Sequence, residues 1–158
     1  MSQSSLVTKQ WWANSSNYTV GRQDTIHGIV IHHAASTSLD SIGQVFSQYG
    51  RGGSAHYGVG GNQIHQYVRE EDTAWHCGNW AGNSCTIGIE TTNSTGAPDW
   101  LVAEDTFNTL VKLVADIAKR NGLGRIKFEP DGVYPTLSAH RDWSPTYCPG
   151  DYLYSRMN

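Results

Sequence analysis

Ile26-His27-Gly28-Ile29-Val30-Ile31-His32-His33 is a β-branched run that halts on a pair of histidines. It reads as a buried strand. A side chain at the C-terminal end of such a strand is held rigidly, which is what a catalytic metal needs from a ligand. His32 and His33 are neighbours on the strand and point to opposite faces, so only one of them can face a metal.

Further ligands come from Leu137–Gly150, which reads LSAHRDWSPTYCPG and sets His140 and Cys148 eight positions apart. The stretch is rich enough in Ser, Pro and Gly to be expected as an irregular loop, with Pro145 and Pro149 as its pins. Zinc accepts imidazole nitrogen and thiolate sulfur, and catalytic zinc takes three protein groups and leaves a fourth position for water. One histidine of the 32/33 pair would complete a His, His, Cys set.

Outward from these two stretches the pattern is mixed. Residues 1–25 are polar apart from Trp11 and Trp12 and are expected to form an arm wrapped on the surface, leaving 26–158 as the catalytic domain. Leu39, Ile42, Val45, Phe46 and Tyr49 recur at helical spacing until Gly50. Two short runs, 55–59 and 63–68, flank Gly60-Gly61-Asn62 as a hairpin. The segment TAWHCGNWAGNS, 73–84, reads as a loop and leads into a strand over 85–91. On that strand Ile87 and Ile89 share one face and Glu90 takes the other, beside Thr86 and Gly88. Phe107, Leu110, Val111, Val114, Ile117 and Ala118 mark an amphipathic helix of about four turns, with Lys119, Arg120 and Gly122 as its stop. The expected architecture is α/β: a single domain with one central mixed sheet flanked by helices.

Composition narrows the function. At 158 residues the chain is one domain by length, able to bury roughly 70% of its unfolded surface. It carries 38% hydrophobic and 16% charged residues, 17 glycines and a net charge of −3, a soluble, loop-rich profile without the clustered Lys and Arg of a nucleic-acid binder. No window approaches a membrane span, and MSQSSLVTKQWW lacks the apolar core of a signal peptide, so synthesis in a cytoplasm is expected, with action on the cell wall. Of three cysteines, Cys77 and Cys85 are left as either two free thiols or a bridge.

Taken in order, IVIHHAAS, SAHYGVGGNQIHQ, TAWHCGNW, TIGIE and SAHRDWSPTYCPG resemble the type 2 N-acetylmuramoyl-L-alanine amidases, the zinc amidases of phage endolysins and peptidoglycan recognition proteins. The resemblance spans residues 26–150. It implies a zinc ion in an open groove and cleavage of the amide between N-acetylmuramic acid and L-alanine in bacterial peptidoglycan. The ligands it implies are His32, His140 and Cys148, which puts His33 on the reverse face, hydrogen-bonded in the core. Glu90 matches a carboxylate that some members use near the metal. Other members use a Tyr and a Lys at positions held here by Ala55 and Thr146, so that version of the mechanism is closed to this chain.

The chemistry gives each group a task. Zinc held by two imidazoles and a thiolate keeps a net positive charge and lowers the pKa of water toward about 7. Glu90 is the candidate base and proton donor, Thr146 or His56 the donor to the developing oxyanion, and His56, His76, Trp75 and Trp80 the candidate substrate contacts. Arg141 and Asp142 are a candidate pair bracing the ligand loop. The expected enzyme is a monomeric phage endolysin domain. The competing expectations are a non-catalytic peptidoglycan-binding module, which would have lost a metal ligand, and a structural zinc protein, which would need a fourth Cys or His near the loop.

Overall fold

The computed structural model describes residues 3–158. In chain order its elements are β1 (Lys9–Gln10), β2 (Tyr18–Thr19), β3 (Gly28–His33), α1 (Leu39–Phe46), β4 (Tyr57–Gly60), β5 (Gln63–Gln66), β6 (Thr73–Ala74), α2 (Trp80–Cys85), β7 (Thr86–Thr91), α3 (Glu104–Arg120), β8 (Leu137–Ala139) and α4 (Asp151–Tyr154). Six strands form one sheet in the order β1-β5-β4-β7-β3-β8, and β2 pairs with β6 in a two-stranded ribbon. The β4–β5 hairpin is antiparallel, whereas β1–β5, β4–β7, β7–β3 and β3–β8 are parallel, so the sheet is mixed as expected.

The register of β3 against β7 positions the site. Ile29 lies opposite Ile87, Ile31 opposite Ile89, and His32 opposite Glu90. Strand alternation therefore sends the isoleucines to one face and His32 with Glu90 to the other. On the first face Ile29, Ile31, Ile87 and Ile89 pack with Leu110, Leu113 and Ile117 of α3 in the main core. Each side chain of this kind, fully buried, contributes roughly 1.5–3 kcal/mol. A smaller cluster joins Ile42, Tyr67, Val68 and Ala74 to Trp11 and Phe46. The sheet thus has a dry face under α3 and a second face that can carry polar machinery.

Two close approaches require glycine. A Cβ at Gly28 would lie 2.0 Å from the carbonyl oxygen of Pro135, and one at Gly88 would lie 2.5 Å from Cγ of His76. The first lets β3 pass the segment feeding β8, and the second makes room for an imidazole directly on β7.

Four expectations are corrected. The N-terminal residues do not merely wrap the surface: β1 adds an edge strand to the main sheet and β2 pairs with β6. Met1 and Ser2 of the expected arm lie outside the described residues. TAWHCGNWAGNS contains β6 and the start of α2, whose N-cap Asn79 accepts from the Gly82 amide at 3.0 Å. A six-residue helix is too short for periodicity to reveal. α1 ends at Phe46, and Tyr49 beyond it is 87% exposed. The stretch 137–150 opens with β8 and a one-turn 3-10 helix, His140–Asp142, because Ile29, Val30 and Ile31 of β3 provide a parallel edge for Leu137–Ala139. Cys77 and Cys85 are buried free thiols. No described helix is long and apolar enough to cross a membrane.

Candidate metal centre and active site

His32 is the next-to-last residue of β3, His140 opens the turn after β8, and Cys148 follows eight residues later; their candidate ligand atoms all lie within 4.8 Å of one another. Nδ1 of His32 is 3.2 Å from Nδ1 of His140 and 3.6 Å from Sγ of Cys148. Tetrahedral zinc with bonds of about 2.0–2.1 Å to nitrogen and about 2.3 Å to sulfur would set these separations at about 3.3 Å and about 3.6 Å. The donor set and these two separations fit zinc.

The loop carrying two of the three candidate ligands is held by hydrogen bonds to its backbone. The Arg141 amide donates to the carbonyl of Cys148 at 3.1 Å, tying the residue after one ligand to the other ligand. The Cys148 amide donates to Oγ1 of Thr146 at 3.2 Å. Arg141 and Asp142 do not pair with each other. Asp142 accepts from the Ala139 amide and the Tyr154 hydroxyl, both at 2.8 Å, while Arg141 pairs with Asp151 at 3.1 Å and lies over the Tyr154 ring. Both nonetheless brace the ligand turn, each through Tyr154.

Burial controls the ionisation of these groups. It holds His32, His76 and His140 below the usual imidazole range, in the neutral form a metal ligand needs. It also pushes the Cys148 thiol far up, with the nearby Glu90 charge adding to the effect. Glu90 is itself half-buried at the end of β7, and desolvation raises its carboxyl to about 8. His32, His140, Cys148 and Glu90 share an open groove of about 510 Å³ that Ile42, Val45 and Phe46 of α1 also line. Thr146 lines the same groove, and because its oxygen accepts from the Cys148 amide, its own proton is free to be donated.

A family model described as N-acetylmuramoyl-L-alanine amidase matches residues 21–151. The chain belongs to the type 2 N-acetylmuramoyl-L-alanine amidase family. Among curated relatives, the N-acetylmuramoyl-L-alanine amidase CwlA of Bacillus subtilis (strain 168) is 31% identical over 100 residues, 61% of this chain. The match spans about a third of that relative's length, 32%. The catalytic domain of XlyA superposes with a TM-score of 0.71 at 21% identity, covering 95% of each chain. The endolysin amidase LysCS from Clostridium intestinale URNW superposes at 0.64 with 16% identity, covering 96% of this chain and 93% of its own. These likenesses place the amidase fold on nearly the whole chain.

In this amidase fold several expected site residues stand elsewhere. His56 is fully buried: its Nδ1 accepts from the Gly88 amide at 3.1 Å, its Nε2 lies 2.9 Å from the Asp72 carbonyl, and Arg22 packs beside it. Burial and then the Arg22 charge push it down to about 3. It braces β7 and is not among the residues lining the groove. Trp75 is pinned by its indole N–H to Thr19 at 2.9 Å, away from the groove. Trp80, 45% exposed, belongs to a separate cleft with Tyr134 and Trp143. His76 does line the groove, but its Nδ1 lies 3.0 Å from Nε2 of His32, so it faces His32 rather than open space. His33 is only partly buried and stacks on Trp100 with ring centroids 5.0 Å apart, not in the core. The apolar wall from α1 went unassigned in the sequence, although its helical period was plain there.

Proposed function

We propose that this chain is a zinc-dependent hydrolase of the amide between N-acetylmuramic acid and L-alanine in peptidoglycan, with His32, His140 and Cys148 as metal ligands. The observation that carries the reading is the register pair His32 and Glu90: a carboxylate stands beside a ligand triad on the floor of one open groove. When bound, zinc would supply a positive charge that acidifies water toward a pKa of about 7 and polarises the amide carbonyl. Glu90 takes the proton of the attacking water and delivers it to the leaving nitrogen, a task worth about 10²- to 10⁴-fold. Its carboxyl, raised to about 8 by burial, suits a group that accepts and releases a proton near neutrality. A neighbouring cation lowers that value and favours the ionised base. Thr146 offers its hydroxyl proton to the developing oxyanion. Ile42, Val45 and Phe46 give the lactyl and alanine methyl groups an apolar wall.

The same proposal extends to biological role: the chain acts as the catalytic part of a phage endolysin on the bacterial wall. The fold shared with the endolysin amidase LysCS supports it. Retention of all three ligands favours this enzyme over a binding module. The test assays zinc in the purified protein, then digests peptidoglycan with wild type, Cys148→Ser and Glu90→Ala. One equivalent of zinc and new L-alanine amino termini from wild type alone are expected. Zinc without cleavage of any wall would overturn the enzyme reading in favour of a binding module.

A further inference from the structure

We propose that His76 and Thr86 form a hydrogen-bond relay that fixes His32 in the tautomer presenting its Nδ1 lone pair to His140 and Cys148. The proposal rests on the metal reading above and adds positioning residues to it. The relay is built from three contacts in line: Oγ1 of Thr86 to the Gly82 carbonyl at 2.7 Å, Nε2 of His76 to Oγ1 of Thr86 at 3.2 Å, and Nε2 of His32 to Nδ1 of His76 at 3.0 Å.

Each contact dictates the next. A carbonyl can only accept, so the single hydroxyl proton of Thr86 goes to Gly82. The oxygen of Thr86 then accepts, and the donor must be the Nε2–H of His76. A neutral imidazole carries one proton, so Nδ1 of His76 is a lone pair and accepts from the Nε2–H of His32. That leaves Nδ1 of His32 bare, on the side where Nδ1 of His140 and Sγ of Cys148 converge. Both rings are buried, and among the described residues neither is hydrogen-bonded to a carboxylate, so nothing beside them balances a second proton.

The surroundings fit a relay more than an accidental contact. Asn79 caps α2, which carries Gly82, and Oδ1 of Asn83 accepts from the amides of His76 and Cys77 at 3.1 and 3.0 Å. The ring of His76 rests on Gly88, where a Cβ would approach its Cγ to 2.5 Å and its Nδ1 to 2.7 Å. Gly88 is thus the clearance that lets an imidazole stand between β7 and the metal ligand. Anchored at the α2 carbonyl, the relay gives His32 a fixed ring plane before any metal arrives, as outer partners of ligating histidines do.

The experiment uses the full chain as wild type, Thr86→Val, Thr86→Ser and His76→Phe. Ring nitrogen shifts by 15N NMR on metal-free protein read the tautomer of His32, and competition against a chromophoric chelator reads zinc affinity. The proposal expects His32 protonated at Nε2 in wild type and Thr86→Ser, and a mixture of tautomers in Thr86→Val and His76→Phe. Zinc affinity should fall about 10- to 100-fold in the latter two and stay within about threefold in Thr86→Ser. Protonation of His32 at Nδ1 in metal-free wild type, or wild-type zinc affinity in Thr86→Val, would overturn it. If wild type bound no zinc, the metal reading would fall, and the NMR arm would still decide the relay.

Discussion

Replacing Glu90 by Gln should make the metal-free protein more stable and the zinc-loaded protein far less active, and the stability gain should grow with pH. The Glu90 carboxyl is raised from 4.5 to about 8 by desolvation, and among the described residues no hydrogen bond reaches it. The sign follows from proton linkage. Between pH 4.5 and 8 the folded protein holds a proton on Glu90 that the unfolded chain has lost, so stability falls as pH rises across that window and is unaffected by this group below it. At pH 7 the full linkage cost is about 3 kcal/mol, and solvent relaxation around a half-buried carboxylate trims it to about 1–3 kcal/mol. Gln keeps the shape without the charge. In a chelator-containing buffer, Glu90→Gln should match wild type near pH 4.5 and exceed it near pH 8 by roughly 3–10 °C in Tm for a chain of this size. Bound zinc favours the ionised carboxylate, so the advantage should shrink when metal is added. With zinc bound, the turnover rate should drop about 10²- to 10⁴-fold. Thermal unfolding at several pH values with and without chelator checks this. A stability difference that is flat across pH, or one that favours wild type at pH 8, would refute the desolvation argument.

The remaining predictions concern the ligands and the packing around them. Because burial and Glu90 hold the Cys148 thiol protonated, zinc binding must release at least its proton; affinity in chelator competition should rise about tenfold or more per pH unit from 6 to 8, and a flat profile would remove Cys148 from the ligand set. Gly28→Ala should cost on the order of 3 kcal/mol in urea unfolding, since the new Cβ meets the backbone carbonyl of Pro135 rather than a movable side chain; a cost below about 1 kcal/mol would show that β3 and its neighbour can part. The Tyr67 hydroxyl is buried with no partner among the described residues, so Tyr67→Phe should be neutral or stabilising by up to about 1 kcal/mol, and a clear loss would reveal a bond the structure does not contain.

What could be read from the sequence divides along physical lines. The β3 and β7 strands, the hairpin and α3 were legible because each buries a face, and burial writes a period of 2 or 3.6 into the residues. The convergence of His140 and Cys148 with His32 was legible because zinc chemistry restricts ligand types so strongly that one loop carrying both stands out. α2 was not, since its stability comes from the Asn79 cap and from packing on Trp143, which a Cβ at Gly82 would meet at 2.7 Å. β1 was invisible for a similar reason: a two-residue edge strand is defined by its pairing with β5 and carries no pattern of its own. His56 and His76 were both expected as substrate contacts; both instead lie in a polar layer beside β7, where His56 meets the Gly88 amide and His76 meets His32.

That layer explains why the site and the fold are hard to separate. In a parallel pair such as β3 and β7, residues in register share a face and end together. His32 and Glu90 are therefore neighbours by virtue of the same pairing that aligns Ile29 with Ile87 and Ile31 with Ile89 in the core. A slip of one residue between these strands would turn the isoleucines of one strand away from α3 and separate the carboxylate from the ligand at once. Selection for a packed core under α3 thus fixes the geometry of the opposite face at no further structural cost. The groove can then hold a desolvated carboxylate beside two buried candidate ligands, His32 and Cys148, and the half-buried His140.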